Sequence, residues 1–486
     1  MTDRPAFAVV GHPNKGKSSI VATLAQDDAV AIACESGTTR HAQPYAMTVD
    51  GQALYTLIDT PGFQRARRVM DWLSAQKPSV ADRPATVAAF VRAHAHDSAM
   101  RDEVELLDPI VKGAGVLYVV DGSVPYSEEY EIEMDILRWT GRPSMALINP
   151  IGQADHLDAW RSALGQYFSV VRVFDAMTAP FDKRLELLRA FGQLDEAWRI
   201  PMQQAVDQLL QERTRQRALA AGGIAQMIAQ MIRLEVKKRL PPDTDPSPYR
   251  ETLEQRYRDK LRILEIDGRL AVEQVYQQDR LQRDEAPLAN GEDDLFSKQA
   301  WLRFGLTKRE LVTAGALGGA VGGGMLDAAV GGTSFMTGAL LGAAAGAAMA
   351  WWSADRLAKF RVMSLPLGGV EACYGPSRNA NFPFVILNRA RWHHHLVVQR
   401  THAQRTVMQV GTPEPLPQDH VKSLASLFHR LRKAGNDWDR ISPACEELTQ
   451  VIDTLLNEPT DRVLAADDLA DAENRQQQGD RNKADD

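Results

Sequence analysis

The chain has 486 residues, of which 44% are hydrophobic and 24% charged, a composition typical of folded globular domains. At the usual domain size this length predicts about three domains. The formal net charge of −7 argues against a generally basic nucleic-acid-binding protein. Three scattered cysteines, Cys34, Cys373 and Cys445, exclude a disulfide-stabilised scaffold and a zinc site built from cysteines alone, and they favour a reducing, cytoplasmic location.

Short apolar runs alternate with helical patterns over the first 190 residues. Strands are predicted at 5–12, 53–58, 116–120, 144–148 and 170–174, with helices between them, for example at 18–24 and 128–139. Strands that alternate with helices indicate a doubly wound α/β fold with a mostly parallel sheet.

The segment after the first strand, residues 11–18, reads GHPNKGKS and matches G-x-x-x-x-G-K-S without a mismatch. It lies between a predicted strand and a predicted helix, which is the context that the motif requires. Its glycines allow backbone N–H groups to surround phosphate oxygens, Lys17 places a positive charge on the β and γ phosphates, and the Ser18 hydroxyl reaches Mg²⁺. The motif therefore predicts a nucleotide site with Mg²⁺.

Two further short motifs follow in the order that such a site requires. Residues 59–62 read DTPG and close the second strand, where Asp59 can hold Mg²⁺ through water and the Gly62 N–H can meet a γ phosphate. Residues 37–40 read GTTR, and a threonine there can complete the Mg²⁺ shell only when the γ phosphate is present. Each motif is weak alone, but their order and spacing after the phosphate loop predict a switch.

These motifs, together with GAGVLYVVD at 113–121 and MALIN at 145–149, resemble those of a P-loop GTPase of the Era/TrmE type. The resemblance covers a little over a third of the chain. The whole architecture resembles a little-characterised bacterial group in which an Era-like GTPase domain precedes a helical domain of unknown function. The resemblance implies hydrolysis of GTP to GDP and phosphate.

The resemblance also implies a role for individual residues. The nucleotide-binding set is Asn14, Lys15, Gly16, Lys17, Ser18, Ser19, Thr38, Thr39, Asp59, Gly62, Asn149 and Asp155. The catalytic set is Lys17, Thr39, Gly62 and Asn14, and the metal ligands are Ser18, Thr39 and Asp59. Thr39 is the switch threonine, with Thr38 as the alternative. Asn14 can hold a K⁺ that neutralises transition-state charge, or its amide can simply stabilise the loop.

Two positions depart from the pattern of GTPases. Phe63 stands where Ras-like proteins have the glutamine that orients the attacking water, so hydrolysis is expected to be slow or to position water otherwise. The base-specifying N-K-x-D motif is reduced to Asn149, followed by Pro150. Asp155 could replace the missing aspartate or could cap the next helix. The preference for guanine over adenine therefore rests mainly on the resemblance.

Five regions are predicted along the chain. They are a GTPase domain at 1–190 with an insertion at 64–112, stalk or linker helices at 195–300, a glycine-rich hydrophobic hairpin at 301–360, a helical region at 361–457 and a disordered acidic tail at 458–486. The insertion follows the γ-phosphate sensor, so it could move with the switch, or it could be a surface excursion. The stalk pattern fits packed amphipathic helices or a partner-binding coiled coil, broken by PPDTDPSP at 241–248.

Residues 311–352 contain one charged residue, Asp327, and eleven of the chain's 34 glycines. Glycines recur every fourth residue at 315–323 and at 338–346, a spacing that lets membrane helices approach closely. The second half, 334–352, has nearly the length that spans a bilayer, and basic residues flank the segment at both ends. The pattern predicts a membrane-inserting hairpin, and the alternative is a glycine-packed hairpin inside a soluble domain.

We interpret the chain as a GTP-binding and GTP-hydrolysing switch that acts at or near the cytoplasmic membrane through its C-terminal helical region. Its expected partners are guanine nucleotide, the membrane, and a further protein or a second copy of the chain. The alternatives are a nucleotide-dependent scaffold with negligible turnover and an Era-like GTPase associated with RNA or the ribosome, although the acidic charge argues against nucleic acid. Three adjacent histidines, 393–395, point in different directions on a helix and favour a basic face over a metal site.

Overall fold

The computed structural model describes residues 4–26, 41–152, 155–276, 295–306, 310, 358–364, 369–399 and 416–457. The chain divides into two compact units. The first comprises Met1–Thr214 and Gln399–Thr406, and the second comprises Arg215–Val398 and Val407–Asp486.

The first unit is built on a six-stranded sheet with the order β2-β3-β1-β4-β5-β6. Its strands are β1 Ala6–Val10, β2 Gln43–Val49, β3 Gln52–Asp59, β4 Gly115–Asp121, β5 Ser144–Asn149 and β6 Val171–Val173. Its helices are α1 Lys17–Ala25, α2 Ala66–Ala75, α3 Arg83–Ala93, α4 Arg101–Val111, α5 Glu129–Trp139, α6 Leu157–Leu164, α7 Phe181–Gly192 and the start of α8 Glu196–Arg233. All neighbouring strands are parallel except β2, which pairs with β3 in the antiparallel sense.

Alternate residues of the central strands pack into two different apolar cores, one on each face of the sheet. Along β1, Phe7 and Val9 belong to one core while Ala8 and Val10 belong to the other, and all four are fully buried. Because a parallel sheet covered on both faces needs apolar residues at every position, these strands form continuous apolar runs in the sequence. Burial of each large apolar side chain contributes roughly 1.5–3 kcal/mol.

The predicted strands of the first unit are confirmed, as are helices α1 and α5. The sequence analysis did not identify β2, whose outer residues are largely exposed and therefore lack a continuous apolar run. The insertion at 64–112 contains the three helices α2, α3 and α4.

The second unit contains the rest of α8 and a small antiparallel sheet with the order β7-β9-β8. Its strands are β7 Val236–Leu240, β8 Ala358–Ser364 and β9 Val370–Ser377. Its further helices are α9 Arg250–Val275, α10 Lys298–Phe304, α11 Phe382–Gln399, α12 Gln418–Ala434 and α13 Trp438–Asn457. The mainly helical character predicted for this region is confirmed. The sheet was not predicted, because β7 reads VKKRL and carries polar residues at its three central positions.

The predicted membrane hairpin at 311–352 lies outside the described residues, and so does the acidic tail. None of the helices in the described part of the chain combines the length and apolar character that crossing a bilayer requires. Two of the histidines at 393–395 contact the end of α9: His394 Nε2 lies 2.8 Å from the Tyr276 hydroxyl, and His393 Nε2 lies 3.4 Å from a Glu273 oxygen. Within the described ranges, no group of three or more His, Cys, Asp or Glu side chains could hold a metal ion.

A buried ion cluster joins α9 to α11 inside the second unit. Glu265 Oε1 accepts hydrogen bonds from Arg389 Nε at 2.6 Å and from Arg269 Nη2 at 2.9 Å. Burial raises the pKa of the Glu265 carboxyl, but attraction by Arg389 and Arg269 outweighs it and lowers that pKa from 4.5 to about 2. The ionised form of Glu265 is therefore the stable one in the folded chain.

We expect Glu265→Gln to lower the free energy of unfolding of the second unit by about 3 kcal/mol at pH 7, because the buried guanidinium of Arg389 and the half-buried one of Arg269 lose the Glu265 charge. A carboxyl whose pKa is lowered by folding stabilises above its unfolded pKa, so this contribution is lost as pH falls from 4.5 towards 2. Urea unfolding at pH 7 and pH 3 measures both effects. Glu447→Gln, in an exposed pair with Arg430, is the control and should cost under about 1 kcal/mol. Equal losses for the two variants would contradict the prediction.

Candidate nucleotide-binding site

The carboxyl ends of β1, β3, β4 and β5 meet at one edge of the first unit's sheet. In the strand registers, Val9 of β1 lies beside Asp59 of β3, and Asp121 of β4 lies beside Asn149 of β5. In parallel α/β sheets, ligands bind outside this edge where the strand order reverses. Here that position is the end of β1, which has β3 on one side and β4 on the other.

The loop between β1 and α1 has the backbone conformation that its glycines predict. Gly16 has a φ of +81° in the left-handed region and directly precedes α1, which begins at Lys17. Gly11 has a φ of +139°, and a Cβ there would lie 2.4 Å from the Val119 carbonyl oxygen of β4. Asn14 is exposed with a φ of +61°, a conformation that asparagine adopts more readily than most residues. The residue type at position 14 therefore has a conformational explanation beside the ion-binding one.

Lys17 is buried and its ammonium is held by the loop backbone. Its Nζ donates to the carbonyl oxygens of His12 at 3.0 Å and Gly11 at 3.3 Å. Burial lowers the pKa of Lys17 from 10.5 to about 8, against attraction by Asp59 and Glu133. The lysine therefore carries a poorly solvated positive charge inside the curve of the loop, where a phosphate group would compensate it.

Ser18 and Asp59, which belong to two different motifs, are in direct contact. The Ser18 hydroxyl donates to Asp59 Oδ2 at 2.7 Å. Together they offer a hydroxyl and a carboxylate oxygen, the hard ligands that Mg²⁺ prefers. This donor set fits the predicted magnesium site, with Thr39 as a predicted third ligand outside the described residues.

The DTPG segment packs against the phosphate loop. A Cβ on Gly62 would lie 2.6 Å from the Pro13 backbone nitrogen, so only glycine allows this approach. The next residue, Phe63, is 2% exposed and lies in the core below the sheet. Its side chain therefore anchors the segment and does not orient a water molecule.

Asn149 links the phosphate loop to the loop that follows β6. Its Nδ2 donates to the Lys15 carbonyl oxygen at 3.2 Å, and its Oδ1 accepts from the Ala176 N–H at 3.2 Å. A Cβ on Gly16 would lie 2.2 Å from that same Nδ2. Asn149 is 4% exposed, so its amide holds two backbone segments together at the base of the site.

Asp155 does not cap α6, because that helix begins at Leu157 with His156 as its N-cap. The capping alternative is therefore wrong, and the Asp155 side chain is exposed to solvent. Of the predicted set, the structure brings the loop residues 14–19, Asp59, Gly62 and Asn149 to one edge of the sheet. Thr38 and Thr39 lie outside the described residues.

The sequence analysis missed a second layer of polar residues behind the loop. His12 Nδ1 lies 3.0 Å from Glu133 Oε1, and the Tyr118 hydroxyl donates to Glu133 Oε2 at 2.9 Å. Lys15 Nζ lies 3.8 Å from Asp121 Oδ2. The signal for Glu133 in the sequence is its helical spacing with the apolar residues Tyr130, Met134 and Leu137, which places it on the face of α5 that is buried. A buried acid needs a partner.

Comparisons with known proteins agree with this geometry. A family model described as a domain of unknown function (DUF3482) matches residues 161–478, more than half of the chain. The chain belongs to the DUF3482 family. A second model, described as a 50S ribosome-binding GTPase, matches residues 6–149.

Among curated proteins, the GTPase Der of Mycoplasma pneumoniae is 33% identical over 143 residues, which are 29% of this chain and 26% of that protein. Der of Agathobacter rectalis is 44% identical over 69 residues, 14% of this chain and 15% of that protein. The chain thus spans about a quarter, or less, of the length of these relatives. These sequence matches confirm the predicted P-loop GTPase domain, as one of the Era/Der type, followed by a region of unknown function.

Two solved structures of Era also match, each over 56% of this chain and 89% of the other. A variant of Era from Aquifex aeolicus bound to GDP·AlF₄⁻ is 16% identical with a TM-score of 0.27. Era in complex with MgGDPNP and nucleotides of 16S ribosomal RNA is 15% identical with a TM-score of 0.28. At such low TM-scores the structural likeness adds nothing to the sequence matches.

We expect Asn149→Ala to weaken the binding of GDP and ADP alike, by about 10-fold, because two hydrogen bonds that hold the loop are lost. Titration of the purified chain with fluorescent analogues of both nucleotides measures this. Asp155→Ala is the matched variant: if Asp155 reads the base, it should reduce GDP affinity while ADP affinity stays the same. A loss confined to GDP in Asn149→Ala would contradict the scaffolding role of that amide.

Proposed function

We propose that the chain binds GTP and hydrolyses it to GDP and phosphate as a molecular switch. The observation that carries this proposal is the contact of both DTPG sensors with the phosphate loop: Asp59 accepts from Ser18, and Gly62 packs on Pro13. A nucleotide phosphate bound in the loop would therefore lie next to the DTPG segment, and its presence or loss would act on that segment directly. The sequence similarity of residues 6–149 to Der GTPases supports the choice of nucleotide.

The residues of the chain bind and orient the nucleotide. The backbone N–H groups of the loop and the start of α1 face the phosphates, and Lys17 compensates the charge of the β and γ phosphates. When bound, Mg²⁺ would be held by Ser18 and Asp59 and would neutralise phosphate charge. The N–H of Gly62 is the donor that a γ phosphate would order, and loss of that phosphate would release it.

The site has no glutamine after DTPG to position the attacking water, because that position is occupied by Phe63, whose side chain is buried. The remaining contribution is electrostatic, and Asn14 is placed on the exposed side of the loop, where its amide could hold a K⁺. We propose that K⁺ raises the rate through Asn14. The positive φ of Asn14 gives a direct way to separate this role from the conformational one, because glycine adopts the same backbone conformation.

We expect KCl to raise kcat for GTP by about 10-fold or more over NaCl, and Asn14→Gly to abolish this difference, because glycine adopts the same backbone conformation but supplies no amide for the ion. Phosphate release from GTP and from ATP measures the stimulation and the choice of base together. Lys17→Ala, which should weaken nucleotide binding about 100-fold, sets the background. Equal stimulation of Asn14→Gly would show that the amide does not hold the ion. Equal turnover of GTP and ATP would contradict guanine specificity.

We propose further that the switch acts at a membrane through residues 311–352. Support comes from the sequence alone: a single charge in 42 residues, glycines at every fourth position and basic flanks. The segment belongs to the DUF3482 part of the chain, so the GTPase domain and the proposed anchor lie in different parts of the sequence. The proposed output is a nucleotide-dependent change in how the C-terminal region meets a partner or a second copy at the membrane.

We expect the full-length chain to float with liposomes of bacterial lipids in a density gradient, and the variant L340D/L341D to remain in the dense fraction. Two aspartates in the apolar segment cost several kcal/mol on insertion. Val362→Asp is the control, because Val362 is an exposed apolar residue of β8 outside the segment. Absence of the wild-type chain from the floating fraction would favour the alternative of a hairpin packed in a soluble domain.

A further inference from the structure

Helix α4, the last helix of the insertion, holds the residues that directly follow DTPG. Glu103 is fully buried, and its Oε1 accepts hydrogen bonds from the backbone N–H groups of Gln64 at 3.1 Å and Arg65 at 2.5 Å. Arg65 in turn donates from Nη1 to the Ala99 carbonyl oxygen, just before α4, at 2.5 Å. The segment that follows Gly62 is thus attached by its backbone to the first turn of α4 and by the Arg65 side chain to the residues just before that helix.

The same turn of α4 also holds the residues that directly follow GTTR. Glu105 Oε2 accepts from the Ala42 N–H at 2.9 Å, and its Oε1 lies 3.1 Å from His41 Nδ1. Arg101 Nη2 lies 3.1 Å from the other ring nitrogen of His41. Burial acts to raise the pKa of the Glu105 carboxyl, but the Ala42 N–H, His41 and Arg101 outweigh it and lower that pKa. Glu105 is therefore ionised when it holds this segment.

The two carboxylates lie on opposite sides of helix α4, one face of which packs on the core. Residues two positions apart on an α-helix are about 200° apart around its axis, so Glu103 and Glu105 face different neighbours. On the Glu103 side, Leu106, Leu107 and Ile110 are fully buried in the core with the sheet. Helix α4 therefore packs on the core through its Glu103 side, and it lies between the two segments that it holds.

We propose that Glu103 and Glu105 are positioning residues that couple the two γ-phosphate-sensing segments through α4. The inference rests on the proposed GTPase function, because that function gives the coupling its role, while the contacts themselves are those of Glu103 and Glu105 described above. When one segment moves, it either breaks its hydrogen bonds to α4 or displaces the helix with it. A displaced helix changes the hydrogen bonds to the other segment on its opposite side. Such coupling between two sites is reciprocal in free energy.

Reciprocity gives the decisive experiment, because among the described residues Glu103 bonds to the segment after Gly62 and Glu105 to the segment at 41–42. We expect Glu105→Ala to speed amide hydrogen exchange in a peptide that covers residues 62–70, and Glu103→Ala to speed it in a peptide that covers 41–49. Full-length protein is measured by mass spectrometry without nucleotide, with GDP and with a non-hydrolysable GTP analogue. Each effect should be largest with the GTP analogue, since only that state is expected to order both segments.

Two further variants separate coupling from a general loss of structure. Asp108→Ala removes an exposed carboxylate of the same helix, whose partner is Lys112, and should leave exchange in both peptides unchanged. Glu105→Gln keeps an oxygen acceptor for the Ala42 N–H, and it should restore slow exchange at 62–70 to near the wild-type rate. Failure of Glu105→Gln to do so, or a similar effect of Asp108→Ala, would overturn the coupling in favour of a purely structural role.

Kinetics supply a readout that a structural role would not move. Glu105→Ala should lower kcat for GTP by about 5-fold or more with KM within about 2-fold, because the ordered segments act in the transition state. The double variant Glu103→Ala/Glu105→Ala should cost less than the product of the two single effects. Faster amide hydrogen exchange only in the segment that the mutated carboxylate contacts, in both single variants, would overturn the inference. Absence of GTP turnover in the wild type would instead overturn the proposed function, and the exchange measured without nucleotide would still decide the coupling.

Discussion

The position of β1 inside the sheet is the constraint on which the site depends. Phe7, Val9 and their neighbours are fully buried and pair with β3 on one side and β4 on the other, so the strand has no freedom to shift. Because side chains alternate between two cores, a slip of one residue would move each apolar side chain of β1 to the opposite core. The phosphate loop leaves this strand at Gly11, whose Cα approaches the β4 backbone. The loop therefore starts from a fixed point.

Several polar groups buried around that fixed point bond to backbone and thereby tie the loop to its supports. Lys17 donates to loop carbonyls, Asn149 joins Lys15 to Ala176, and Thr23 of α1 donates to the Ala176 carbonyl oxygen at 2.7 Å. A buried polar group without a partner costs about 1–3 kcal/mol, so each bond constrains its segment. The loop after β6 thereby supports the phosphate site from a distance of many residues in sequence.

The parts of the fold that were predictable from sequence are those encoded by local patterns. The strands of the first unit are continuous apolar runs, and the phosphate loop combines glycines with Lys17 and Ser18 in one octapeptide. What sequence reasoning missed depends on partners that are distant in sequence. Glu103 lies in an ordinary amphipathic helix, and only the fold brings it to the N–H groups of residues 64 and 65. Strand β7 carries exposed charges and becomes a strand because β9 pairs with it.

The reduced base motif shows that two separate physical tasks are normally combined in one short segment. One task is to hold the loop, which Asn149 performs with both ends of its amide. The other is to read the base, which in N-K-x-D requires a carboxylate three residues after the asparagine, where this chain has Gly152. Loss of the second task does not require loss of the first, because both hydrogen bonds that hold the loop come from the amide of Asn149 itself. The asparagine would therefore be needed even in a site with relaxed base preference. Its presence is evidence for a working phosphate loop, and it is much weaker evidence for strict selection of guanine.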